Sequence, residues 1–226
     1  MKNQKVGHTV PVIPKPASTV ILMDHQSKVY MTKRPKTMKF LGGFYVFPGG
    51  QVDVSDEIKD SSYIHNCPKD IDFSIGHYIA AARELFEEVG ILLAESYDGF
   101  PAQINHEKAW EYRSKLVQGK ISFLDLLAEE DIYLNLDSLK YFGHRITPKE
   151  RPYRYDTRFF IATLPKEQTP LPDPNEIDEA FWIEPHEAIT AFENGEMPMA
   201  RPTILSLRTI EQNKKGFPLM MPESSW

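Results

Sequence analysis

Between residues 75 and 89 the apolar positions recur at helical spacing. At about 100° per residue, Ile79, Ala82, Leu85, Phe86 and Val89 share one arc, while Arg83, Glu84, Glu87 and Glu88 fall on the opposite one. With Ser74 as N-cap and Gly90 as C-cap, the pattern predicts a helix that buries one face and presents acid on the other. Before it, the β-branched run Ala17–Met23 reads as a core strand, and Asp24–Ser27 as a turn into a partner strand at Lys28–Thr32. Gly42 and Gly43 open a third strand, Phe44–Phe47. It ends in Pro48-Gly49-Gly50, a tight turn whose glycines let backbone approach a ligand closely. Further strands are expected at Ile91–Leu93, Leu139–Phe142, Arg158–Leu164 and Ala180–Ile183. Apolar recurrence over 104–130, broken at Gly119, predicts two helices. Two more begin at Pro185 and after Pro202, the last running Thr203–Gln212. Residues 1–16, with Pro11, Pro14 and Pro16, read as an extended arm, the Lys33–Lys39 segment as a basic loop, and 51–75 as an exposed acidic excursion.

Composition narrows the possibilities. A chain of 226 residues, 41% hydrophobic, builds one sizeable core, so a single decorated domain over 1–226 is expected. Its insertions would lie at about 57–75 and 100–130, and its C-terminal helix at 202–213. The net charge of −6 argues against an affinity that rests on neutralising the phosphates of a long nucleic acid. A small phosphate ligand escorted by a metal ion remains compatible. The one cysteine, Cys67, cannot form an internal disulfide, and the N-terminus has no apolar signal segment. No run reaches bilayer-spanning length, so a soluble cytoplasmic protein without a membrane partner is expected. The inserted helices are compatible with either a pocket or a homodimer contact.

The acid face carries the chemistry. Three carboxylates within five residues repel one another at helical spacing, an arrangement that costs stability unless a cation sits among them. Glu84, Glu87 and Glu88 therefore read as ligands for a hard divalent ion, Mg²⁺ or Mn²⁺, which prefers oxygen donors. The seven histidines show no metal-ligand spacing, and a Ser/His/Asp nucleophile pattern is absent.

The glycine turn, the acidic excursion and Arg83-Glu84-Leu85-Phe86-Glu87-Glu88-Val89-Gly90-Ile91 together resemble the Nudix box. Its second half matches at every specified position. Asp56 stands where the box has glutamate, and 26 residues rather than seven separate it from Arg83, so pairing with Arg83 requires the extra residues to loop out. Thr32-Lys33-Arg34, Lys39, Gly43 and Phe47-Pro48-Gly49-Gly50 are similar in spacing to the coenzyme A signature of coenzyme A diphosphatases. Pro35 and Lys39 replace its small residue and second arginine. Arg145-Ile146-Thr147-Pro148 and Asp156–Phe160 resemble the peroxisomal branch of that group.

The resemblance implies an α/β class fold, the Nudix α/β/α sandwich with a mixed sheet, inserted helices and a C-terminal helix. It implies a metal-dependent hydrolase of a nucleoside diphosphate linked to another moiety, with coenzyme A or acyl-coenzyme A as the favoured substrate. NADH, ADP-ribose, capped RNA or a non-catalytic sensing role are the alternatives. By the same resemblance Glu87 and Glu88 would be the main metal ligands, the Gly49 carbonyl a further one, and Glu84 a ligand or the base that orients water. Arg83, four residues before Glu87, would hold that carboxylate in place. Arg34, Lys39 and the Gly49-Gly50 turn would bind substrate phosphates, with Arg145, Arg151, Arg154 and Arg158 as a second basic cluster. Glu176 or Glu179 would be one further acid.

Overall fold

The computed structural model describes residues 12–57, 62–216 and 218–222. Its elements run β1 (Lys15–Met23), β2 (Val29–Lys33), β3 (Tyr45–Val46), β4 (Gly49–Gln51), β5 (Ile64–His65), α1 (Gly76–Val89), β6 (Ala94–Glu95), α2 (His106–Val117), α3 (Phe123–Glu130), β7 (Tyr133–Asn135), β8 (Lys140–Ile146), β9 (Tyr155–Thr163), β10 (Glu179–Ile183), α4 (Pro185–Glu193) and α5 (Arg201–Asn213). β1 is the spine: it pairs in parallel with β9 from Lys15 opposite Tyr155 to Met23 opposite Thr163. The main sheet orders β10-β2-β1-β9-β8 and is mixed, since β2, β8 and β10 join it antiparallel.

Alternation along the strands divides the core into two layers. Val20 and Leu22 of β1 and Phe160 of β9 pack with Ile79, Leu85 and Phe86 of α1. Ile21, Phe159 and Ile161 face the other way, onto Ala188, Ile204 and Leu207 of α4 and α5. Period-two burial with helices on both faces gives the expected α/β/α sandwich.

β1 and β2 pair directly only at their hairpin end, Met23 opposite Val29, and the chain from Tyr45 to Gln51 fills the gap where they part. β3 pairs with the end of β2 and β4 with the start of β1. At the changeover Pro48, which has no amide to give, accepts a hydrogen bond from the Val20 amide at 2.9 Å. The glycines expected as a turn thus form a short strand. Gly49 has φ +154°, and a Cβ there would sit 2.3 Å from the Ser18 carbonyl oxygen and 2.7 Å from Thr19 Cα.

Several boundaries differ from expectation, among them β8 and β9, which the sequence placed at Leu139–Phe142 and Arg158–Leu164. β1 takes in Lys15 and Pro16 because β9 continues beside them; residues 1–11 of the expected arm lie outside the described residues. Within the 57–75 excursion, of which 58–61 are not described, Ile64 is buried and β5 pairs with β7, while Tyr63, Ile71 and Phe73 pack on the core. Ile91–Leu93 are buried but unpaired, and the strand there is β6, which pairs with β7. Ile75, not Ser74, precedes the first turn of α1, although the Ser74 hydroxyl accepts from the Gly76 amide at 3.0 Å and donates to Glu57. Gly90 closes α1 in the left-handed conformation, as expected.

Replacing Gly49 by alanine forces backbone to move against β1. Gly49→Ala is expected to cost about 1–3 kcal/mol or more in urea unfolding, because strain there meets main chain rather than a movable side chain.

Candidate active site

α1 brings its acidic face against the β4 glycines, and Arg83 is the fixed point between them. Only 4% exposed, Arg83 donates from Nε to both Asp56 oxygens at 3.1 and 3.3 Å, and from Nη2 to Asp56 Oδ2 at 2.9 Å and the Gln51 carbonyl at 2.8 Å. Its Nη1 donates to Glu84 at 2.9 Å and Glu87 at 3.2 Å. Asp56, fully buried, also accepts from the Asp53 amide at 2.8 Å. The link between Asp56 and Arg83 is therefore formed despite the long insertion, and Ser74 bonded to Glu57 ties the two sides of that insertion together. Burial works against the Arg83 charge, but the hydrogen bonds it donates to Asp56 and the charges of Glu84, Asp56 and Glu87 raise its pKa.

Glu88 lies deeper and accepts from the Gly49 amide at 3.1 Å. Gly50 lies directly beneath Glu84: a Cβ there would meet its carboxylate at 2.3–2.6 Å. Arg34, Gly49, Gly50, Gln51, Asp53, Arg83, Glu84, Glu87, Glu88, Leu116, Val117 and Glu176 line one cleft of about 340 Å³. A larger concavity, about 600 Å³, opens at the opposite, hairpin end of β1 and shares none of these residues. It is lined by three acids, Asp24, Glu95 and Asp137, against five in the smaller cleft, which is therefore the candidate site.

Burial is the main cause that pushes the cleft carboxylates upward. Glu84 is pushed to about 8 and Glu87 to about 7, each pulled back in part by Arg83 and raised again by neighbouring acids. Glu88 stands well above the usual carboxylate range, from burial and then from Glu84, and Glu176 is raised by burial and Asp173. The cleft thus offers more carboxylates than Arg83 and Arg34 could offset if all were ionised.

This donor set fits a hard divalent cation chemically, since every acidic ligand offered is a carboxylate oxygen. Among the described residues, however, no three His, Cys, Asp or Glu side chains are gathered in a metal-holding arrangement. Glu84 and Glu87 both face Arg83 Nη1, so holding an ion requires their flexible side chains to turn from the guanidinium toward Glu88.

Other predicted residues are distributed differently. Lys39 is exposed in the 34–44 loop and does not line the cleft, whereas Arg34 does. Glu176 reaches the cleft; Glu179 instead pairs with Lys33 at 2.6 Å and accepts from the Tyr45 hydroxyl at 2.9 Å. Arg154 is buried and donates to the backbone of Thr147 and Val12, Arg158 pairs with Asp156 beneath the Phe73 ring, and Arg145 donates to the His144 and Pro222 carbonyls. Their donors serve the fold.

Arg113 of α2 was not singled out by the sequence. Its Nε donates to the Glu87 carbonyl at 2.9 Å and its Nη2 to the Glu88 carbonyl at 3.1 Å, with Trp110 stacked 4.1 Å away. The Asp173 amide donates to the same Glu88 carbonyl at 2.8 Å and the Leu171 amide to Val89 at 2.8 Å. The inserted helix and the 165–178 connection thereby fix the end of α1 that carries the acids. Arginine near a helix C-terminus was the signal available, but nothing local says which helix it caps.

Two outcomes follow from this geometry. Asp56→Asn leaves the buried Arg83 short of its main counter-charge and is expected to cost about 3–5 kcal/mol in chemical denaturation. Without added metal, stability is expected to fall as pH rises from 4.5 through about 8: the folded-state pKa values of Glu84 and Glu87 lie above the ordinary 4.5, so the folded chain holds protons the unfolded one has released. Thermal melting at pH 5 and pH 8.5 in chelator measures this, and added Mg²⁺ should recover more at the higher pH.

Comparison with known proteins agrees with the site. The sequence model of the NUDT19 Nudix domain matches residues 57–210. Putative nudix hydrolase 7 of Caenorhabditis elegans is 28% identical over 198 residues, 88% of this chain and 60% of that protein. Acyl-coenzyme A diphosphatase NUDT19 of Xenopus laevis is 25% identical over 225 residues, 80% of this chain and 58% of that protein. The Homo sapiens protein of the same name is 29% identical over 153 residues, 63% of this chain and 40% of that protein. The chain thus spans 40–60% of the length of these curated relatives. The crystal structure of a NUDIX hydrolase from Alicyclobacillus acidocaldarius matches with TM-score 0.78 at 26% identity, over 93% of this chain and 98% of that one. With two thirds of its residues under that family match and the Arg83-centred acid helix in place, the chain belongs to the NUDT19 Nudix domain family of Nudix hydrolases.

Proposed function

We propose that the chain hydrolyses the diphosphate link of a nucleoside diphosphate joined to another moiety, in a single Nudix domain, and that coenzyme A or acyl-coenzyme A is the substrate. The products would be 3′,5′-ADP and (acyl-)phosphopantetheine. The observation that carries the reading is the acid set in one cleft beside the Gly49-Gly50 strand: Glu84 and Glu87 held by Arg83, and Glu88 held by the Gly49 amide. The names of the Xenopus and human relatives support the substrate.

Nudix enzymes use divalent metal ions, and here Glu84, Glu87, Glu88 and the Gly49 carbonyl would hold Mg²⁺ or Mn²⁺. Such an ion would offset charge on the non-bridging phosphate oxygens and acidify a water. The remaining work belongs to the chain. Arg83 keeps Glu84 and Glu87 on one side of the cleft, and Gly50 lets Glu84 sit over the backbone. Arg113 and the 165–178 connection hold the helix end so that the carboxylates stay in register. Glu84 or Glu176, both with raised pKa, would take the proton from the attacking water.

Among the described residues no helix is long and apolar enough to cross a membrane. Cys67 is exposed and unpaired, consistent with the proposed cytoplasmic, reducing setting. A second copy of the chain is the proposed protein partner.

The test is a panel of coenzyme A, NADH, ADP-ribose and capped RNA assayed with Mg²⁺, with Mn²⁺ and with chelator. Coenzyme A should be cleaved fastest, and only with metal. Glu87→Gln and Glu88→Gln should each lower kcat more than about 100-fold, beyond the loss typical of groups that only support metal ligands. Tight nucleotide binding without products under all conditions would identify a sensor instead.

A further inference from the structure

Arg34 is the cation of the cleft that has donor capacity left. Arg83 is committed at Nε, Nη1 and Nη2, and Arg113 donates to the carbonyls of α1. Among the described residues, Arg34 Nε and Glu211 Oε2 are the buried side-chain polar atoms without a hydrogen-bond partner, and only Arg34 lines the cleft. Its backbone is fixed where the β2–β3 ladder ends: the Arg34 amide donates to the Phe44 carbonyl at 3.0 Å, and the Gly43 amide donates to the Arg34 carbonyl at 2.9 Å. Strand alternation places it on the side of Tyr30, facing α1. Its charge acts on both Glu88 and Glu176, yet it hydrogen-bonds neither through Nε.

A half-buried guanidinium whose Nε–H is buried and idle is poorly satisfied at that nitrogen until an acceptor arrives. Carboxylates within reach of its field leave that N–H unmet, and a metal cation would repel it. A phosphate group has the charge, and two of its oxygens the spacing, that the planar fork of Nε with a neighbouring nitrogen matches. We propose that Arg34 binds the scissile diphosphate itself, beside the acids, and not a phosphate at the far end of the substrate. Lys39, the other basic residue of the same segment, stands exposed outside the cleft and is excluded from that contact. The assignment rests on the diphosphatase reading above and narrows which part of the substrate this residue touches.

The experiment has two arms. In the first, calorimetry with α,β-methylene-ADP and Mg²⁺ compares the wild-type chain with Arg34→Gln and Arg34→Lys. Affinity should drop about 10- to 100-fold for the glutamine variant, the loss of a charged hydrogen-bonded contact, and lysine should recover only part of it. Wild-type affinity in Arg34→Gln, or no binding of the probe by the wild-type chain, overturns the inference. In the second arm, kcat/KM is measured on coenzyme A and on its analogue without the 3′-phosphate. Equal fractional losses on both for Arg34→Gln support a contact with the diphosphate, and a loss confined to coenzyme A overturns it in favour of the 3′-phosphate. A wild-type chain that binds the probe but cleaves neither compound refutes the hydrolase, while the first arm still decides the role of Arg34. Mn²⁺ affinity of Arg34→Gln should be no weaker than that of the wild-type chain, since a positive charge beside Glu88 has been removed, and its thermal melting should match, which separates loss of a substrate contact from damage to the metal site or the fold.

Discussion

The guanidinium of Arg83 is the constraint around which the site is arranged. A buried positive charge must find acceptors in every direction in which it can donate, and here they come from three separate parts of the chain. Asp56 and the Gln51 carbonyl lie before the insertion, and Glu84 and Glu87 lie on the same helix as Arg83. One desolvated cation therefore joins the strand of glycines to the acid face of α1. The arrangement also sets its own electrostatic tension. Arg83 is shared among three hydrogen-bonded carboxylates and lies 3.7 Å from a fourth, Asp53, while Glu88 and Glu176 add charge that it does not pair. Protons or an added cation would relieve that tension.

The sheet supplies the other half of the geometry. Because β1 and β2 part after a single hairpin pair, a strand can be split between them, half on each, with a proline at the switch. The second half carries the glycines under the helix. Gly49 lets main chain lie against Ser18 and Thr19, and Gly50 lets the Glu84 carboxylate rest where any side chain would stand. Close approach of backbone and acid, rather than loop mobility, is the use of both residues.

The far end of α1 is held by later parts of the chain. Arg113 and the amides of Leu171 and Asp173 occupy the carbonyls of Glu87, Glu88 and Val89, groups that a helix end leaves without partners. The inserted helix α2 is thus part of the scaffold of the acids as well as a wall of the cleft, through Leu116 and Val117. The same 165–178 connection that anchors the helix end delivers Glu176, so the placement of that acid depends on contacts distant from it in sequence.

What the sequence determined by itself is whatever repeats locally. The amphipathic period of 76–89, the β-branched runs of β1 and β9 and the break at Gly119 between α2 and α3 are legible because helix and strand sort side chains every few residues. The pairing of Arg83 with Glu87 follows from helical spacing alone. Strands of two or three residues, β4 to β7, hold too few positions to show a period, and they exist only because a neighbour is there to pair with. Arg34 and Lys39 look alike in sequence, as do Glu176 and Glu179, yet one of each enters the cleft. That division was made by the tertiary structure: a ladder end aims Arg34 toward α1, and hydrogen bonds to the end of α1 hold the turn of Glu176, while Glu179 is drawn into β10 beside Lys33. Local periodicity fixes which face a residue takes, and only long-range pairing decides what that face meets.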